Sequence, residues 1–210
     1  MGRYLESSCK QCRREGMKLM LKGTRCETAK CPIEKKQRNL KPGMHAWTKG
    51  RLSDYGVRLR EKQKVKRYYG LLNKQFMLYF QKADRVKGNT GEALLQLLER
   101  RLDNVIYKLN FASSRKAARQ LVNHGHVYVN GGKVDISDYV TKIGDKITLK
   151  NSEKTKKQVK GQLESNPNFT TQSWLQLDRD KPSATIVAYP SREDVQIPVE
   201  EQLVVEFCSR

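Results

Sequence analysis

An excess of positive charge confined to one end of the chain decides most about what it can become. Residues 1–70 hold 20 Lys and Arg against 6 Asp and Glu, a net of +14. Residues 71–150 hold 14 against 7, and residues 151–210 hold 8 against 9. A solvated helix face does not account for that imbalance. It implies a polyanionic partner, because each neutralised phosphate releases condensed counterions and so favours binding. The last 60 residues, near neutral, are by the same reasoning a poor place for nucleic acid. Membrane lipid is the other common polyanion, but no apolar run approaches the roughly 18 residues of a spanning helix. No secretory signal pattern opens the chain either. Hydrophobic residues make up 37% and mean hydropathy is -0.76, which suits small cores in a soluble, cytoplasmic chain of one or two domains plus arms.

Four of the five cysteines fall within the first 31 residues, as Cys9-x2-Cys12, thirteen residues, then Cys26-x4-Cys31. A two-residue gap lets one tight turn aim two sulfurs at one ion. A second pair closes a tetrahedral thiolate cage, the preference of zinc. Disulfide pairing and an iron–sulfur cluster are the alternatives, the first needing an oxidising compartment. The expectation is one structural Zn²⁺ ordering an arm too short to bury its own core. Lys10, Arg13, Arg14, Arg25 and Lys30 would offset the charge of four thiolates. Cys208 stands alone and reads as a core or free thiol.

Pro42-Gly43 marks a break, after which Ser53 or Asp54 caps a helical region running to about Ala83. Val65, Tyr69, Leu72 and Phe76 form its apolar stripe, and Gly70 leaves room for two shorter helices instead of one. A turn at Gly88–Gly91 introduces a second helix with Leu94, Leu95, Leu98, Leu102, Val105, Ile106 and Leu109 buried. Ser113 or Ser114 caps a third, ending near Gly125, with Ala118, Leu121 and Val122 inward. Its N-terminus would present backbone N–H groups to a phosphate. The alternation of His126–Val134 around Asn130-Gly131 predicts a β-hairpin, and Ile147 and Leu149 one more strand. The fold class expected is α+β and mainly helical: two short helices on a short antiparallel sheet, with a basic helix on one side.

The run Arg101-Leu102-Asp103-Asn104-Val105-Ile106-Tyr107, then Ala112-Ser113-Ser114-Arg115, Ala118–Val122 and His126–Val134, resembles the RNA-binding module of the fourth small-subunit ribosomal protein family. Leu52–Gly56, Arg60–Lys64, Gly88–Gly91, Arg13–Gly16, Trp174-Leu175 and Glu201–Glu206 extend the resemblance over nearly the whole chain. It is therefore specific to the bacterial form of the family, rather than to the RNA-modifying enzymes that borrow the module.

The resemblance implies a zinc arm at 1–42, a helical domain at 43–98 completed by 156–210, and an inserted RNA-binding module at 99–155. It implies a non-enzymatic, ribosome-bound protein that binds the 5′ domain of small-subunit ribosomal RNA, nucleates assembly and contributes to decoding accuracy. Expected partners are that RNA, the fifth small-subunit ribosomal protein and messenger RNA where it enters; no membrane or small molecule is expected. Some family members also repress their own operon messenger. The expected RNA contacts in the arm are Arg3, Tyr4, Arg13, Arg14, Lys18 and Lys22. Those leading into the first helix are Lys49, Arg51, Ser53, Tyr55 and Arg58, and those along it Arg60, Lys62, Lys64, Lys66, Arg67 and Tyr68. In the module they are Arg100, Arg101, Asn104, Ser114, Arg115, Lys116, Arg119, Gln120, His124 and His126. Glu200, Glu201, Gln202 and Glu206 are expected to meet protein. The segment His45–Arg51, basic in most of the family, here contains Trp47 and Thr48. Many relatives lack the full cysteine set, whereas all four positions are filled here.

Two other classes are weighed. An enzyme using the module as an appendage would need a catalytic domain larger than the last 60 residues, and neither a phosphate-binding glycine loop nor a Ser/His/Asp order is present. A zinc-dependent DNA-binding factor would need a recognition helix near the cysteines, where Gly16 and Gly23 leave little room for one.

Overall fold

The computed structural model describes residues 4–47, 50–166, 169–178 and 182–209. The chain forms two compact units, residues 1–94 with 197–210, and residues 95–196.

In the first unit, helix α1 (Ser8–Glu15) ends on Gly16, whose left-handed φ of 71° only glycine adopts at little cost. Helix α2 (Asp54–Tyr68) starts where Ser53 accepts a hydrogen bond from the Gly56 N–H at 3.2 Å. Its end follows from Gly70, at φ 66°. The Gly70 N–H reaches the Arg67 carbonyl and the Leu71 N–H that of Lys66, the paired bonds that close a helix on a glycine. Helix α3 (Asn73–Asp84) follows. Val65, Tyr69, Phe76, Tyr79, Phe80 and Ala83 are buried. Leu72, expected inward, is 42% exposed, because Gly70 breaks the helical period and Leu72 becomes the N-cap of α3. The chain returns to this unit as α8 (Glu201–Cys208), which packs along α2.

The division between the units falls within α4 (Thr90–Glu99). The expected single leucine-rich helix is two helices. Arg101 leaves the helical path at ψ 136°, bridges to Val140, and caps α5 (Leu102–Lys108). The loop at 137–141 takes up the freed backbone groups: Leu102 N–H donates to Tyr139 O, and Thr141 N–H to Arg100 O. All seven apolar residues of the stripe are nonetheless buried. Helix α6 (Arg115–Asn123) is capped by Ser114, which accepts from the Ala117 N–H at 3.3 Å.

Strands β1 (Val127–Val129) and β2 (Gly132–Lys133) form the expected hairpin, with Asn130 and Gly131 both at positive φ. Strand β3 (Lys146–Leu149) pairs with β1. Beyond it, α7 (Glu153–Ser165) leads to a second hairpin, β4 (Leu175–Asp178) and β5 (Ser183–Ile186). Among the described residues the strands make one antiparallel sheet in the order β2-β1-β3-β5-β4.

This differs from the expected boundary at 155. Residues 156–196 belong with the module, because β5 occupies the otherwise open edge of β3 and Val159, Trp174, Leu175, Ala184 and Ile186 close its core. Only 197–210 rejoins the first unit.

Candidate nucleic-acid interface

In the second unit, half of the expected RNA contacts form an internal scaffold instead. Asp103, 2% exposed, accepts from Arg101 at 2.9 and 3.2 Å and from Arg119 at 2.7 and 3.0 Å. Arg101 also pairs with Asp138. Asn104, fully buried, donates to the Glu99 carbonyl and carboxylate at 3.0 and 2.6 Å and accepts from Arg115 Nε at 2.8 Å. The Arg115 guanidinium lies 4.4 Å from the Tyr107 ring centre. Arg101, Asn104, Ser114 and Arg115, expected on the RNA face, therefore lie inside. Their polar groups fix the angle between α5 and α6, at positions where burial without partners would be costly. Lys108 is also interior, donating to Gln196 Oε1 at 3.2 Å and lying 4.0 Å from Glu99; burial pushes its pKa down, against the opposing pull of Glu99.

That packing leaves Lys116, Gln120 and His124 on the exposed side of α6, with His126 half-buried beside them at a ring separation of 6.3 Å from His124. His126 is tied to α7 through Thr155 Oγ1 at 3.3 Å. Arg100 donates to Thr141 O at 3.0 Å and lies 4.0 Å over the Tyr189 ring.

In the first unit, α2 carries its cations in two classes. Lys62 is buried, its ammonium 4.9 Å from the Phe207 ring and 5.9 Å from Phe76; Tyr68 is buried edge-on to Tyr69. Both were expected to face RNA and are instead held by α8 and the aromatic core. Arg60 and Arg67 both pair with Glu15 of α1, whose side chain is 1% exposed. Burial raises the Glu15 pKa against the lowering effect of these arginines. Lys64 pairs with Glu61, and Arg58 with Glu206 at 2.6 Å. Lys66 is half-buried, its pKa lowered first by burial and then by Arg67, Lys62 and Arg60.

Glu206, expected to meet another protein, is thus engaged by α2 of its own unit. Glu200 and Gln202 are exposed and Glu201 is half-exposed. Ser53 serves as a helix cap, and Tyr55 is 61% exposed with its ring 5.4 Å from Phe207. Arg14, Lys22 and Arg51 are exposed, as is Tyr4, whose hydroxyl donates to Glu6 at 3.3 Å. Arg13 donates to Leu40 O at 3.4 Å, and Lys18 pairs with Glu34. Arg3 and Lys49 lie outside the described residues.

Cys12, Cys26 and Cys31 are buried and Cys9 half-buried, all as free thiols. The Lys22 N–H donates to Cys26 Sγ at 3.3 Å. Burial raises the Cys12 and Cys26 thiols, partly opposed by backbone N–H donors, and the other cysteines raise them further. Among the described residues no three His, Cys, Asp or Glu side chains converge at metal-ligand spacing.

One cationic surface escaped the sequence reading. Lys154, Lys156, Lys157 and Lys160 stand exposed on α7, while Thr155 and Val159 of the same helix are buried. Averaging charge over 151–210 hid them, since the acids that neutralise the sum lie mostly after residue 177. Helical periodicity within 153–164 was the signal that could have separated them. No described helix is long and apolar enough to cross a membrane.

Two family models match the chain: the ribosomal protein S4/S9 N-terminal domain over residues 3–99, and the S4 domain over residues 100–147. Small ribosomal subunit protein uS4A of Alkaliphilus metalliredigens is 52% identical over 211 residues, covering 100% of both chains. Small ribosomal subunit protein uS4 of Thermoanaerobacter sp. is 50% identical and that of Trichlorobacter lovleyi 52%, each over 210 residues and 100% of both chains. The chain belongs to the small ribosomal subunit protein uS4 family.

Proposed function

We propose that this protein is a structural, non-catalytic constituent of the small ribosomal subunit that binds the 5′ domain of its ribosomal RNA and nucleates assembly there. The observation that carries the reading is the exposed face of α6. Asp103 and Asn104 engage the inner arginines, so that Lys116, Gln120 and His124 are presented outward on a rigid pair of helices. Rigid placement of cations is what backbone recognition of folded RNA requires. The exposed cations Arg14 and Lys22 of the arm, and Arg51 ahead of α2, would add phosphate contacts. The test is a titration of the full chain with a 5′-domain RNA fragment across salt. A steep linear fall of log affinity with log salt is expected; a flat slope would sink the reading.

The arm would hold one structural Zn²⁺ through Cys9, Cys12, Cys26 and Cys31. The donor set is four thiols, three of them buried, and an N–H donor to Cys26 Sγ is of the kind that supports a thiolate ligand. Bound there, the ion would order the arm by replacing the core it lacks. One zinc per chain by elemental analysis is expected, with chelation loosening residues 1–42. Absence of zinc, or iron with visible absorbance, rejects this assignment.

The fifth small-subunit protein is the proposed protein neighbour, through exposed Glu200 and Gln202. Messenger RNA is the proposed neighbour of the segment around exposed Trp47 and Arg51. Contributions to decoding accuracy and repression of its own operon messenger belong to the same reading.

A further inference from the structure

The sheet of the second unit has two faces, and neither the core nor the arginine network uses the outer one. Successive strand residues point to opposite sides. Val127, Val129, Ile147, Leu149, Ala184 and Ile186 are buried in the core. Alternation therefore sends Tyr128, Lys133, Lys146, Thr148, Ser183 and Thr185 to the other side. There Lys133 and Lys146 are exposed and the remainder half-exposed.

The register fixes their neighbours. Tyr128 stands opposite Lys133 on one side and Thr148 on the other. Thr148 faces Ser183, and Lys146 faces Thr185. Directly opposed residues of such a sheet have Cβ atoms about 4.5–5.5 Å apart, and diagonal pairs are about 7–8 Å apart. Lys146, two residues before Thr148, is thus the diagonal neighbour of Tyr128. By register, Tyr128 thus stands between a lysine position on one neighbouring strand and a diagonal lysine position on the other, with Thr148 beside it.

Two observations separate this from an ordinary polar sheet face. The first is its charge. None of the six positions is acidic, and Asp145, adjacent to Lys146, is buried with its oxygens engaged by Asn130 Nδ2 at 2.9 Å and the Lys142 N–H at 2.7 Å. The one acid on this face among the described strand residues is exposed Asp178 of β4, directly opposite Ser183 and three strands away from Tyr128. The second is the placement of Lys133. Its side chain runs over Gly125, where a Cβ would meet Nζ at 2.8 Å and Cε closer still. A glycine at φ 69°, between α6 and β1, thus leaves room for the lysine side chain.

We propose that this outer sheet face is a binding site for unpaired RNA. One base stacks on the Tyr128 ring, Lys133 and Lys146 meet the flanking phosphates, and Thr148 and Thr185 offer hydroxyls to sugar or base edges. A π-face accepts any base, so the site is tolerant of sequence. It rejects duplex, whose base faces are already stacked on one another. The inference rests on the RNA-binding reading above but adds a site separate from α6 and the arm.

The test uses the full chain and a short single-stranded oligouridylate carrying one 4-thiouridine, with an RNA duplex of equal length as competitor. Long-wavelength irradiation is expected to crosslink the peptide bearing β1 or β3. Tyr128→Ala should weaken oligouridylate binding about tenfold while Tyr128→Phe preserves it, as stacking requires. Lys146→Ala, at an exposed position that leaves the fold intact, should reduce the salt slope by about 0.7. Crosslinks confined to other elements, equal competition by duplex, or unchanged binding in both Tyr128→Ala and Lys146→Ala would overturn the site. Binding to a 5′-domain RNA fragment is measured in parallel. If the unaltered protein fails there, the ribosomal RNA reading itself falls; if it binds and the oligouridylate is insensitive to both variants, only the sheet site falls.

Discussion

Asp103 accepts four hydrogen bonds from two arginines that are two and sixteen residues away. Three of the four fall on Oδ2 and one on Oδ1, so a single carboxylate oxygen joins the two arginines. Asp103→Ala takes the carboxylate from both Arg101, 1% exposed and also paired with Asp138, and Arg119. The expected loss is about 3–5 kcal/mol, the range for removing one partner of a buried ion pair, read from the denaturant midpoint. A loss near that of a surface charge would mean that the network relaxes into water. Lys108 offers the opposite case, a buried base whose folded pKa lies below its ordinary 10.5. Between that lowered value and 10.5 the unfolded chain binds more protons than the folded one. Its contribution therefore rises with pH through that window and falls as pH drops. The stability difference between the unaltered protein and Lys108→Met should shift in favour of the unaltered protein as pH is raised toward 10.5. A pH-independent difference in melting temperature would contradict this. In sequence, Arg101, Arg115 and Arg119 look like Lys116. Only the fold distinguishes them, because the acid that claims Arg119 comes from a different helix.

The second hairpin is the element that changes the division of the chain. Strand β5 gives β3 a hydrogen-bonded neighbour, and Trp174, 1% exposed, enters the same core as Val105, Ile106 and Val127. Trp174→Ala should cost about 3–5 kcal/mol, and the loss should appear in the protection of amides in β1 and β3 as well as β4. Protection lost only after residue 170 would show that the module at 99–155 stands alone. The first hairpin was legible because Asn130-Gly131 is a strong local turn signal. The second was not, since its strands are short and its partner, β3, lies about forty residues back along the chain. Gly70 allowed one helix or two, and the paired bonds that place Leu72 outside the core depend on where α3 begins.

At the scale of the molecule, a net charge of +20 remains after the internal pairs are made. Like charges destabilise a compact state in proportion to their field, and salt screens them. The melting temperature of the free protein is therefore expected to rise with monovalent salt, opposite in sign to the salt dependence of RNA affinity. A fall would place the ion pairs Arg60–Glu15, Arg67–Glu15 and Arg58–Glu206 above the net repulsion. The sequence by itself determined the partner class, the family, the helix starts to within a residue (Ser53 or Asp54, Ser113 or Ser114) and the first hairpin. Charge count, short turn motifs and caps act over a few residues or as sums, and neither needs coordinates. Only the tertiary structure decided which cations remain outside, because burial and pairing are set by residues distant in sequence. It moved Lys62, Arg101 and Arg115 inward, left Lys116 and the α7 lysines outward, and joined residues 156–196 to the sheet through a strand edge that no local pattern could reveal.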